Sequence, residues 1–270
     1  MKLGSVFKLL VLGVWLTNLG LAHASDPKAL YDRGVGLGAQ GKMAEARIAL
    51  EQALKIDPRL TPVRRCLGLL DDVQARRVKE ETAVHLFRAF AYFNAFRTDA
   101  AIQELNRAAA LDPRYPLTYN HRGDAYADQK KWDLAIADYN RVLQIDPRYA
   151  QGYLHRGLAY NQQGKHDQAV ADYTRALEIN PRYEQALYNR GNSYAQMGRY
   201  EQAVADYNRL LEMNPGNGHA YVRKAMAYEK AGRVPEALAA YKSYLQNASA
   251  PDPLQVKFVK DKIKSLEKGH

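Results

Sequence analysis

The chain has 270 residues, 47% hydrophobic and 25% charged, with 39 Lys and Arg against 29 Asp and Glu for a formal charge of +10. Those shares exclude a wholly disordered chain, and a lone cysteine, Cys66, excludes an internal disulfide or a thiolate metal cage. The basic excess favours anionic partners without choosing among acidic proteins, lipid head groups and nucleic acid.

Residues 1–24 read as an export signal. Lys2 and Lys8 flank the start of an apolar run from Leu9 to Trp15, which continues more weakly to Leu21. Ala22-His23-Ala24 then places small residues where a signal peptidase reads them. The run is short for a bilayer span and broken by Thr17-Asn18, against an uncleaved anchor. Cleavage after Ala24 and export, to the bacterial periplasm, are the expectation. The remaining chain carries 37 basic and 29 acidic residues, or +8. No later segment approaches the length of an apolar membrane span, so membrane contact is expected to be peripheral at most. Export also removes nucleic acid from the expected partners.

Further along, Cys66 sits among Leu67, Leu69 and Leu70, the setting of a buried small hydrophobe rather than a reactive thiol. Prolines 113, 147, 181 and 215 then stand 34 residues apart, closing the phrases LDPRY, IDPRY, INPRY and MNPGN. Between them run TYNHRGDAYADQKKWDLAIADYNRVLQ, GYLHRGLAYNQQGKHDQAVADYTRALE and ALYNRGNSYAQMGRYEQAVADYNRLLE. Self-similarity at this period means stacked supersecondary units. The tyrosine excess, 19 against 6 Phe and 2 Trp, belongs to the period.

The recurring residues are Tyr119, Gly123, Tyr126, Ala135, Tyr139 and Pro147, then Tyr153, Gly157, Tyr160, Ala169, Tyr173 and Pro181. A third copy has Leu187 in the first place, followed by Gly191, Tyr194, Ala203, Tyr207 and Pro215. This pattern resembles the tetratricopeptide repeat family. Weaker copies run from Leu30 and Gly34 to Pro58, from Ala89 and Tyr92 to Pro113, and from Tyr221 to Tyr241, where Ser249 replaces the closing proline. The resemblance implies an all-α, right-handed α-solenoid of about six stacked helix-turn-helix units with a C-terminal capping helix. The expected units are 25–60, 82–115, 116–149, 150–183, 184–217 and 218–251, with an irregular helical insertion at 61–81 and the cap at 252–270. Within each unit two helices of about 13 residues, each roughly 20 Å long, pack together. Gly123, Gly157 and Gly191 are expected at the closest helix approach, with Ala135, Ala169 and Ala203 facing them and tyrosine rings filling the space around.

A second periodic pair suggests an ion bridge inside each unit. Arg122, Arg156 and Arg190 precede the glycine, and Asp138, Asp172 and Asp206 precede the second-helix tyrosine. Arg88 and Glu104 keep the pairing, whereas Lys224 faces Ala240.

The period breaks between Pro58 and Pro113, 55 residues apart, with no glycine or proline from Leu69 to Asp112. One long helix from Pro62 into the Phe96 region is the simplest expectation. Phe87, Phe90 and Phe93 on it are either core covered by the extra turns or a docking patch for a partner or a second copy, hence a homo-oligomer. At the other end Asp252 and Pro253 start a helix with apolar Leu254, Phe258, Val259, Ile263 and Leu266 and a lysine-rich opposite side. A solvating cap is the expectation, and a membrane-surface helix the competing one.

No catalytic or cofactor motif appears, so the chain is expected to be no enzyme and to need no cofactor. His121 and His155 recur at one place in successive units, but helices packed about 8–10 Å apart hold two imidazoles too far apart to share an ion easily. A further stripe on the first helices varies from unit to unit. It runs Leu117, Asn120, His121, Asp124 and Asp128, then Leu154, His155, Leu158, Asn161 and Gln162, then Tyr188, Asn189, Asn192 and Gln196. The resemblance implies that this face lines a groove holding segments of partner proteins. Its ladder of His121, His155, Asn189 and Arg223 would offer one polar group per repeat to a peptide backbone. A merely solvated face is the alternative, and the lysine-rich clamp for terminal carboxylates is not evident. The expected function is a non-catalytic protein-interaction scaffold. The alternative is an accessory subunit of an envelope enzyme complex that holds glycan or an anionic surface through its basic face.

Overall fold

The computed structural model describes residues 26–249 and 251–268, so the expected export signal at 1–24 lies outside the described residues. Among them are fourteen α-helices and no strand. In chain order they are α1 (Pro27–Ala39), α2 (Met43–Ile56), α3 (Thr61–Gln74), α4 (Glu80–Asn94), α5 (Thr98–Leu111), α6 (Pro116–Asp128) and α7 (Trp132–Ile145). There follow α8 (Ala150–Gln162), α9 (His166–Ile179), α10 (Glu184–Gln196), α11 (Tyr200–Met213), α12 (Gly218–Lys230), α13 (Val234–Asn247) and α14 (Pro253–Lys268). The chain divides into two compact units, one ending at Ala125 and the other starting at Tyr126.

Local chemistry explains the hairpins. Between α8 and α9, Gly164 takes a φ of +73° that an L side chain rarely adopts. The Lys165 N–H then closes back on the Tyr160 carbonyl at 2.9 Å, satisfying a helix-end acceptor. The repeated Asp/Asn-Pro-Arg phrase ends the second helix by a different device. The Asp146 carboxylate accepts from the Arg148 N–H at 2.9 Å, and Asn180 accepts likewise from Arg182 at 3.2 Å, across a proline that has no N–H to give.

In the second unit the packing glycines lie under tyrosine rings. A Cβ at Gly157 would sit 2.7 Å from Tyr173 Cε1, and one at Gly191 the same distance from Tyr207 Cε1. Both rings are buried, so neither has room to retreat. The arginine pattern is a three-helix fork. Arg156 on α8 donates from Nε and Nη2 to both Asp172 oxygens on α9, at 2.8 and 2.6 Å, and from Nη1 to Asn140 on α7 at 2.6 Å. Arg190 on α10 repeats this with Asp206 on α11 and Thr174 on α9. Each guanidinium thus ties its own hairpin to the preceding one, a task suited to its planar donors. Lys224 occupies the register next along, over the Tyr228 ring.

In the first unit two expectations are corrected. The 55-residue gap holds two helices rather than one. α3 ends at Gln74, Arg76 turns the chain with φ +55°, and α4 begins at Glu80. The Arg77 N–H closes on the Asp72 carbonyl at 2.8 Å, the same stop that glycine supplies elsewhere, at a cost of about 1–2 kcal/mol for a side chain in that conformation. Arg88 does not pair with Glu104. Its Nε donates to the Ala39 carbonyl at 3.2 Å, while the buried Glu104 carboxylate takes His85 Nδ1 at 2.7 Å and Arg107.

The aromatic cluster of α4 is core. Phe87 and Phe90 are buried and meet edge to face at 6.1 Å, Phe93 is half-buried, and Phe87 lies against Gly38 of α1. Of the Phe87, Phe90 and Phe93 expected as a docking patch or self-association surface, Phe87 and Phe90 are thus not exposed for contact. Cys66 is buried in the same core, and desolvation pushes its thiol up to about 12.

The C-terminal helix α14 starts on Asp252, whose carboxylate accepts from the Leu254 N–H at 3.1 Å. Val256, Val259, Ile263 and Leu266 pack on Val222, Tyr241 and Tyr244. Leu254 and Phe258 turn outward instead, 77% and 39% exposed, so the apolar stripe expected of α14 is rotated by part of a turn. Lys262 to Glu229, at 2.7 Å, fastens α14 to α12.

Candidate functional site

In the second unit the first helices of successive hairpins, α8, α10 and α12, carry two recesses. The first has a volume of about 550 Å³ and a floor of Leu154, Leu158, Tyr188 and Leu210. Its rim is polar, with His155, Gln185, Asn189 and His219. The second, about 480 Å³, is lined by Asn161, Asn192, Gln196 and Tyr207 together with two cations, Arg223 and Lys230. Nine of the expected groove residues line these two recesses: Leu154, His155, Leu158, Tyr188 and Asn189 in one, Asn161, Asn192, Gln196 and Arg223 in the other.

Each lining group is positioned by neighbours. The His155 ring stands at 66° to Tyr139, centroids 5.7 Å apart, with Gln151 Nε2 at 3.4 Å from its Nε2. Asn189 Nδ2 donates to the Gln185 carbonyl at 2.8 Å. Asn161 Oδ1 accepts from Ser193 Oγ at 3.2 Å and faces His166 Nδ1 at 2.6 Å. Asn192 Oδ1 accepts the Tyr207 hydroxyl at 2.8 Å, and burial pushes that hydroxyl above its ordinary value of 10. Arg223 Nε donates to the Tyr188 hydroxyl at 3.2 Å, which holds the guanidinium firmly protonated.

The remaining expected residues fall elsewhere. Asn120 and His121 are 0% and 3% exposed, so they do not line an open groove. The His121 ring is covered edge-on by Phe90 at 5.0 Å, and Asn120 Nδ2 donates to Asp124 at 3.2 Å. Phe90 occupies the register that Asp124, Leu158, Asn192 and Met226 hold in later repeats, and its bulk fills the face at that point. The ladder of four is thus a ladder of three: His155, Asn189 and Arg223. Asp128 and Gln162 are exposed without lining either recess.

Several lining residues escaped the sequence reading. Lys230 follows Gln162 and Gln196 at the 34-residue step, and His219 follows Gln151 and Gln185, so carrying the stripe one repeat further would have found both. Leu210 comes from a second helix and had no such signal. Among the described residues no group of three or more His, Cys, Asp or Glu is placed to hold a metal ion, and no helix is long and apolar enough to cross a membrane.

Successive helical hairpins with a lined face across their first helices define a helical-repeat protein of the protein-binding kind. Tetratricopeptide repeat models match residues 27–60, 91–130, 123–164, 157–198 and 188–252. The chain belongs to the tetratricopeptide repeat family. Among solved structures it is similar to MamA, at 26% identity and a TM-score of 0.59 over 62% of this chain and 92% of that one. MamA from Desulfovibrio magneticus RS-1 matches at 13% identity and a TM-score of 0.58, over 62% of this chain and 94% of the other. A tetratricopeptide repeat protein from Parabacteroides merdae ATCC 43184 matches at 17% and 0.57, over 90% of this chain and 87% of its own. The last two similarities speak for the fold alone. No curated protein sequence matches the chain.

Proposed function

We propose that the protein is a non-catalytic scaffold of the bacterial periplasm that holds segments of partner proteins across α8, α10 and α12. One observation carries this reading: nine residues of the variable stripe, picked out by comparing repeats, line the two recesses, while Gly157, Gly191 and the Tyr173 and Tyr207 rings of the packing stripe are buried. A mixed apolar floor with a few placed polar groups is the make-up of a ligand site. His155→Ala, Asn189→Ala and Arg223→Ala together remove the three ladder groups. At about 0.5–1.5 kcal/mol per hydrogen bond, binding of the partner recovered by crosslinking should weaken roughly ten- to a thousand-fold. Helical circular dichroism and the melting midpoint should stay near wild type. Unchanged affinity would refute the groove as the binding face.

Export is the second half of the proposal and rests on residues 1–24. Intact-mass measurement of the protein from its native host should give a chain beginning at Ser25. A mass that retains the first 24 residues would remove both the cleavage and the periplasmic location.

A further inference from the structure

The two recesses differ in charge, and that difference bears on which segments they accept. In the first, the only carboxylate is Glu184, which accepts from Asn214 Nδ2 at 3.2 Å. Its floor of Leu154, Leu158 and Leu210 suits an apolar side chain. The second recess has no carboxylate in its lining and two cations. Arg223 spends one donor on the neutral Tyr188 hydroxyl, and neither Arg223 nor Lys230 has a carboxylate partner among the described residues. The nearby acid Glu229 is already held by Lys262 and by the Tyr241 hydroxyl. Every other lining group there is an amide, a tyrosine or apolar.

Helix α10 links the two. Along α10, Gln185, Tyr188 and Asn189 line the first recess, and Asn192, Ala195 and Gln196 line the second. Resting on the groove reading above, we infer that the groove selects an extended partner segment that carries both an apolar side chain and an Asp or Glu. The apolar group seats on the leucine floor, and the carboxylate takes the free donors of Arg223 and Lys230 in charge-assisted hydrogen bonds.

Panning a phage library of random decapeptides, fused through their C-termini so that no free terminal carboxylate is present, tests this on the purified protein. The expected outcome is enrichment of sequences that combine Leu, Ile, Met or Phe with Asp or Glu. Changing that acid to its amide in an enriched peptide should weaken binding at least about tenfold. The variant Arg223→Glu/Lys230→Glu, altered only at exposed positions, should enrich Lys or Arg in place of the acid. Enriched peptides without an acidic bias, or an acidic bias that survives the charge reversal, overturn this inference while leaving peptide binding in place. No enrichment at all removes the groove reading together with it.

Discussion

Replacing Arg190 with Met is expected to destabilise the protein by about 3–5 kcal/mol in urea unfolding, more than any exposed ion pair here would. The pair is enclosed, with the Arg190 side chain 13% and the Asp206 side chain 4% exposed. Met keeps the volume but leaves the Asp206 carboxylate buried without its two donors, and it releases Thr174 on the preceding hairpin. Most of the loss is the desolvation of the stranded carboxylate, so the double variant Arg190→Met/Asp206→Leu should recover much of it. At the equivalent pair, burial raises the Asp172 carboxyl above its ordinary value, against the lowering by its bond to Arg156. A single-variant loss below about 1 kcal/mol would mean that the fork behaves as a surface pair.

Raising the pH above 10 is expected to unfold the repeats steeply. The hydroxyls of Tyr173, Tyr207 and Tyr241 are pushed above the ordinary tyrosine value of 10 by burial, and Tyr241 further by its hydrogen bond to Glu229. A group whose folded value is raised contributes its full stability below the unfolded value. That contribution is lost as pH rises, because the unfolded chain ionises while the folded chain keeps its protons. Each such tyrosine removes about 1.4 kcal/mol per pH unit, so three approach about 4 kcal/mol per unit by pH 11. The Tyr173 hydroxyl finds no hydrogen-bond partner among the described residues. Tyr173→Phe should therefore leave stability at pH 7 unchanged or slightly raised and make the alkaline slope shallower by about 1.4 kcal/mol per pH unit. Urea midpoints measured from pH 7 to 11 decide both points, and a flat profile above pH 10 would show that the rings ionise in place.

The same residues mark how far the chain is legible without its fold. The hairpins, their turns and the buried tyrosines follow from local rules repeated at one period, and each repeat confirms its neighbour. The Arg156–Asp172 and Arg190–Asp206 pairs were readable for that reason. Their third arms, to Asn140 and Thr174, fall on a register that reads Asn106, Asn140, Thr174 and Asn208, a shared polar position whose partner only the packing of successive hairpins reveals. The break before α4 was missed because Arg76 adopts a conformation that composition assigns to glycine.

By itself the sequence determined the repeat, its packing stripe and the variable stripe beside it, since period and residue size are properties of the chain alone. Only the tertiary structure decided which parts of the variable stripe are open. Asn120 and His121 share the register of Leu154 and His155, yet Phe90 from the preceding hairpin covers His121. At His155 the neighbouring repeat presents Tyr139 at 5.7 Å, and the residue still lines a recess. Burial at a repeat position depends on the bulk that the adjacent repeat places over it. That is a relation between residues about 31 apart, Phe90 and His121, and no single window of sequence contains it.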